Sequence, residues 1–144
     1  MAARPEDSIT IAGCGSQATR DCPADLLAGG QLRLVPSFPR ADLPGLLAGH
    51  DAGLFTSVVE GWGLSLNEML ESGMTVFATL AGGVADLGPF FPMSLRPFPP
   101  PFDFVPAPPS EDLEESGYYR ECSWAGIAAR YEAEVLPRVA QRAA

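Results

Sequence analysis

Between Ala52 and Gly83 short apolar runs alternate with glycine turns and helical spacing, and this alternation restricts the fold more than any other feature of the chain. Ala52 to Ser57 reads as a strand. Glu60-Gly61-Trp62-Gly63 opens a helix whose Leu64, Met69 and Leu70 pack inward until Gly73 closes it, and Thr75 to Thr79 reads as the next strand. Strands separated by helices cannot pair as tight hairpins and need crossover connections. The expected class is α/β, a Rossmann-like parallel sheet with flanking helices on both faces.

Upstream, Ser8 to Gly15 predicts a short buried strand ending in a glycine turn. The polar segment to Gly30, broken by Pro23, predicts no helix. Leu32 to Phe38 is a further strand, and Leu43, Leu46 and Leu47 place a short helix over Ala41 to His50. Beyond Gly83, the Pro/Phe-rich stretch 89–109 reads as an extended surface arm, with a lid or partner-docking arm as the alternative. A terminal helix over 123–142 follows, capped by Ser123 and kinked or locally broken by Pro137. With 144 residues and 47% hydrophobic composition, residues 1–144 are expected to form a single domain.

A formal charge of −9 excludes nucleic acid and anionic membrane as general partners, because both are polyanions. All nine basic residues are arginine and none is lysine, a bias that suggests a bacterial source. Cys14, Cys22 and Cys122 are odd in number and form no CxxC pair, so neither a disulfide framework nor a zinc ribbon is indicated and a cytoplasmic location is expected. No transmembrane segment or export signal is read in the chain. One histidine, His50, and scattered cysteines predict no metal site.

The chemistry lies in Ser57-Val58-Val59-Glu60-Gly61-Trp62-Gly63-Leu64-Ser65-Leu66-Asn67-Glu68. A strand end, a glycine loop and a helix start expose backbone N–H groups with the positive end of a helix dipole behind them, and glycine lets a phosphate approach closely. Such a site takes a diphosphate without a metal. Glu60 stands at its mouth and Glu68 about two helical turns deeper, so the two carboxylates address different parts of one ligand. A charge-assisted hydrogen bond to a sugar hydroxyl contributes roughly 1.5–3 kcal/mol. Two solvent-facing helix carboxylates are the alternative for this pair. Ser57 is placed to line a nucleotide pocket, and Trp62 to lend its backbone rather than its ring.

Two glutamates seven positions apart, Gly-aromatic-Gly after the first, and Gly-x-x-Val beyond the second resemble the retaining GT-B glycosyltransferases of the large fourth family. The resemblance is close over residues 52 to 86. It implies the C-terminal, nucleotide-sugar-binding half of a GT-B fold, with a nucleotide diphosphate sugar as donor substrate and no cofactor or metal. By that resemblance Glu60 contacts the donor hexose as the catalytic carboxylate, and Glu68 contacts the ribose. Gly61, Trp62, Gly63 and Leu64 offer backbone amides to sugar and diphosphate, and Gly82 and Gly83 match the second glycine pair near the donor. Ile9 to Gly15, including Gly13 and Gly15, matches the strand before the nucleotide site. Asp42-Leu43-Pro44 and Ser123-Trp124 match two helix starts.

The family's domain carries one more strand and helix, with an Arg and a Lys for the diphosphate, and an acceptor-binding domain before it. Neither is read in this chain, so the expected activity, transfer of a hexose to an unknown acceptor with retention, calls for a missing N-terminal half or an acceptor-domain subunit. A non-catalytic nucleotide-binding or partner-docking module derived from such a domain is the alternative, and an epimerase sharing the GT-B fold is a third. Gly13-Cys14-Gly15-Ser16-Gln17-Ala18 also fits the dinucleotide pattern GxGxxA, but no acidic residue ends the next strand to hold a ribose.

Overall fold

The structure, a computed structural model, describes residues 7–101, 104–105 and 112–138. The chain, read above as one domain, divides into two compact units, Met1–Leu46 and Leu47–Ala144. It is an α/β protein with two small parallel sheets, of two and three strands, flanked by helices.

In the first unit β1 (Ile9–Ala12) pairs in parallel with β2 (Leu32–Val35), Ile9 opposite Leu32 and Ala12 opposite Val35. The connection contains two short helices that the sequence reading did not expect, α1 (Ala18–Asp21) and α2 (Ala24–Ala28). Pro23 precedes α2 as its cap, a place where a missing N–H costs no intrahelical bond, so the proline separates two helices instead of abolishing both. β1 is not the buried strand expected. Ile9 and Ile11 are 51% and 38% exposed, because β1 has a single strand neighbour and neither α1 nor α2 buries a residue. Pro39 leads into a 3-10 turn, Arg40–Asp42, and α3 (Leu43–Ala48), so the expected helix is shorter than Ala41 to His50.

The second unit carries the larger core. Its sheet runs β3 (Ala52–Phe55), β4 (Thr75–Ala78), β5 (Leu95–Pro97), all parallel, with Ala52 opposite Thr75 and Val76 opposite Leu95. Every residue of the central β4 is buried. Between β3 and β4 lies α4 (Leu64–Glu71), whose Leu66 and Leu70 point one helical turn apart into the core with Phe55, Val76, Leu87 and Phe91. Glycines 82 and 83 lead into α5 (Val84–Leu87), where Leu87 is fully buried.

The stretch 89–109 is not a surface arm over its first part. Phe91 and Ser94 are each 1% exposed, and Leu95–Pro97 completes the sheet. Pro97 is tolerated because it is the last residue of an edge strand, where a missing donor leaves little of the ladder unpaired. Phe104 meets Phe77 edge-on at 4.7 Å between ring centres. Residues 102–103 and 106–109 of the expected arm lie outside the described residues.

Another unexpected helix, α6 (Tyr118–Cys122), precedes α7 (Trp124–Arg130). Ser123 caps α7 as expected, its Oγ accepting from the Gly126 N–H at 3.1 Å. The break expected at Pro137 takes the form of a π-helical turn, Tyr131–Val135, just before it. Proline has no N–H for the carbonyl four residues back and its ring crowds that carbonyl, and a wider turn relieves the clash. Residues 139–142 of the expected helix lie outside the described residues. No described helix is long and apolar enough to cross a membrane.

Candidate functional site

The second unit brings together Ser57, Glu60, Gly61, Trp62, Gly63, Leu64, Gly82 and Gly83 around the carboxyl ends of β3 and β4 and the start of α4, with Glu68 further along that helix. Gly13 and Gly15 belong to the first unit, on the turn after β1. Their N–H groups donate to the carbonyls of Val35 at 2.8 Å and Pro36 at 3.0 Å.

Three constraints shape the loop after β3. Thr79, at the end of β4, donates its N–H to the Phe55 carbonyl at 2.9 Å and its hydroxyl to the Ser57 carbonyl, which ties the two strand ends together. Gly63 then turns the chain with φ +89° and stands as the α4 N-cap without a side-chain cap, and a Cβ there would meet the Phe55 ring at 2.7 Å. Only glycine combines that left-handed backbone with that contact. The first intrahelical bond runs from the Leu66 N–H to the Gly63 carbonyl at 3.0 Å, so the Leu64 and Ser65 amides begin the helix ahead of it. Leu64 is 71% exposed, which leaves this uncapped end open to solvent.

The second glycine pair packs against the first loop. Gly83 donates its N–H to the Trp62 carbonyl at 2.8 Å. Gly82, at φ +58°, has no room for a side chain, since a Cβ would sit 2.6 Å from the Trp62 oxygen and 3.0 Å from the Glu60 Cγ. Glu60 is exposed at the mouth and its carboxylate is folded onto its own loop. Oε1 accepts from the Gly61 N–H at 3.0 Å, and the Ser57 hydroxyl donates to Oε2 over a long 3.5 Å. This contact of Ser57 with Glu60 was not read in the sequence. Glu68 is half-buried, roughly 6 Å further along the axis of α4 than Leu64.

Trp62 is 40% exposed and its ring lies against Gly83. Its indole N–H donates to Asn67 Oδ1 at 2.7 Å, the Asn67 amide donates to the Tyr118 hydroxyl at 2.7 Å, and that hydroxyl donates to the Glu71 carboxylate. Tyr118 is buried, edge-on to Phe91 at 5.0 Å. Burial first, then the hydrogen bond and charge of Glu71, hold its phenol well above the ordinary tyrosine value, so it stays a neutral donor. Burial, with Glu121 second, also pushes the Cys122 thiol up. Thr79, Asn67, Tyr118 and Glu71 were missed as site residues. Asn67 carried a signal, a polar residue on the first turn of a helix whose neighbours Leu66 and Leu70 face inward; Tyr118 carried none, being 51 positions distant in sequence.

Among the described residues no group of three or more His, Cys, Asp or Glu side chains is placed to hold a metal ion. What remains is an uncapped helix start framed by two glycine loops, with an exposed carboxylate at its edge. No family model, curated protein or solved structure matches the chain.

Proposed function

We propose that the second unit is the donor site of a retaining glycosyltransferase of GT-B type, binding a nucleotide diphosphate sugar and transferring its hexose to an acceptor held by an N-terminal half or separate subunit. The observation that carries this reading is the union of the two glycine loops, Gly83 N–H to Trp62 carbonyl, beside the uncapped start of α4 and the Glu60 carboxylate. A diphosphate at the helix start would be met by neutral amides and the helix dipole, which suits a chain with no lysine. Glu60 would accept from hexose hydroxyls and Glu68 from the ribose. Positioning and electrostatic stabilisation would carry the chemistry, the acceptor attacking the face from which the diphosphate leaves.

Calorimetric titration of the protein with UDP, GDP and ADP and with their hexose conjugates tests this. One nucleotide series is expected to bind, more tightly as the conjugate than as the bare diphosphate. Glu60→Ala is expected to cancel the gain from the hexose. Glu68→Ala is expected to weaken both by roughly tenfold to a hundredfold. Unchanged binding in folded Glu68→Ala removes that residue from the site, and no binding to any nucleotide sinks the reading. A second reading is a non-catalytic nucleotide-binding or docking module, and the Glu60 carboxylate, folded onto its own Gly61 N–H rather than held open for a sugar, favours it. Equal affinity for nucleotide and conjugate is its signature.

A further inference from the structure

The geometry points to Tyr118 and Asn67 as positioning residues for the Glu60–Gly63 loop, acting through a one-way line of hydrogen bonds that donates from the Trp62 indole through Asn67 and Tyr118 to the Glu71 carboxylate. The inference rests on the donor-site reading only for what the loop holds.

The chemistry of the four groups fixes the direction of the line. An indole N–H can only donate, so Asn67 must turn its carbonyl oxygen toward Trp62, at 2.7 Å. The Asn67 amide nitrogen then faces Tyr118, at 2.7 Å, and can only donate, so the phenol oxygen must accept. The phenol proton is left for Glu71, which as a carboxylate can only accept. Neither Asn67 nor Tyr118 can reverse without breaking a bond at both of its neighbours. Asn67 rotated by half a turn would set its amide hydrogens against the indole N–H, and the Tyr118 acceptor against an oxygen.

The line matters for the site because Trp62 is held at three points. Its carbonyl takes the Gly83 N–H, its ring lies on the Gly83 backbone, and its N–H is fixed by Asn67. Two of these set the distance between the glycine loops. The third, from Asn67, sets the ring's rotation and, through it, the backbone between Gly61 and Gly63. Tyr118 keeps Asn67 from turning. α6 therefore reaches the loop without touching any ligand the loop would hold.

The full chain carrying Trp124→Phe allows a direct test. The protein has two tryptophans, and Trp124 is 87% exposed and outside the line, so Trp62 becomes the sole tryptophan and can be excited apart from the tyrosines. Acrylamide quenching of Trp62 reports on its ring, and calorimetric titration with UDP-, GDP- and ADP-glucose reports on the site. Tyr118→Phe retains the buried ring and removes the hydroxyl. Glu71→Ala breaks the line from its exposed end, so it serves even where Tyr118→Phe does not fold. Both are expected to raise the quenching constant about twofold and to weaken the bound glucose conjugate about fivefold, the loss of one hydrogen bond. Glu71→Gln, whose amide oxygen still accepts from the phenol, is expected to restore both values.

Three outcomes overturn the proposal: unchanged quenching in Tyr118→Phe and Glu71→Ala, unchanged affinity in both where the parent binds, or Glu71→Gln behaving like Glu71→Ala. A parent that binds no conjugate, with quenching that responds as expected, sinks the donor reading and leaves the positioning of the loop standing.

Discussion

At the scale of single residues, the glycines around the loop differ in what a side chain would meet, and that separates backbone need from mere smallness. At Gly82 an added methyl faces a left-handed backbone and an oxygen 2.6 Å away; at Gly61 it faces open space. Gly82→Ala is therefore expected to cost about 1–2 kcal/mol from backbone conformation alone, with a further loss as the Trp62 carbonyl is displaced. Gly61→Ala is expected to stay within about 0.5 kcal/mol of the parent. Urea unfolding of the two variants checks this, and equal midpoints would mean the two loops do not meet as described. The residues of this loop were legible in the sequence because glycine and glutamate at fixed spacing say where a backbone must bend and where a charge must stand. The hydrogen bonds of Thr79, Asn67 and Tyr118 were not legible. They depend on which distant segments fold onto the loop, and local sequence carries no record of that.

At the scale of elements, β2, β3, α4 and β4 follow from apolar runs closed by glycine or proline, and the sequence places each of them within a few residues. The missed helices α1, α2, α5 and α6 have four or five residues each, little more than one turn and too few for a helical repeat to emerge, whereas β5 was hidden by the prolines around it. Proline misled most in 89–109, where its density hid Phe91. That side chain is 1% exposed, packs against Tyr118 and sits in one cluster with Leu66, Leu70, Val76 and Leu87. Phe91→Ala is expected to lose about 3–5 kcal/mol, the cost of emptying a buried aromatic site. A surface arm would tolerate the same change within about 0.5 kcal/mol. Thermal unfolding distinguishes the two, and an unaltered melting temperature would return residues 89–97 to the surface.

At the scale of the whole molecule, the protein carries a surplus of negative charge that grows as pH rises, and one buried group gives that trend a specific origin. Tyr118 holds its proton more tightly when folded than when unfolded, because burial and the Glu71 carboxylate disfavour a second anion beside it. Above about pH 10, the ordinary tyrosine value, the unfolded chain releases a proton that the folded chain keeps. Fewer protons on the unfolded state mean that stability falls as pH rises, by at most about 1.4 kcal/mol per pH unit for one proton, until the folded phenol itself ionises. The contribution is fully present below about pH 10. Cys122, also raised by burial, acts in the same direction, and general repulsion adds to both. Tyr118→Phe retains Cys122 and the net charge while removing the phenol. Its melting temperature is expected to start lower, for want of the hydroxyl's hydrogen bonds, and to decline less steeply than that of the parent between about pH 9 and about pH 11. Parallel declines in parent and variant would show that Tyr118 titrates as an ordinary solvated phenol, and its bond to Glu71 would then have to be absent in solution.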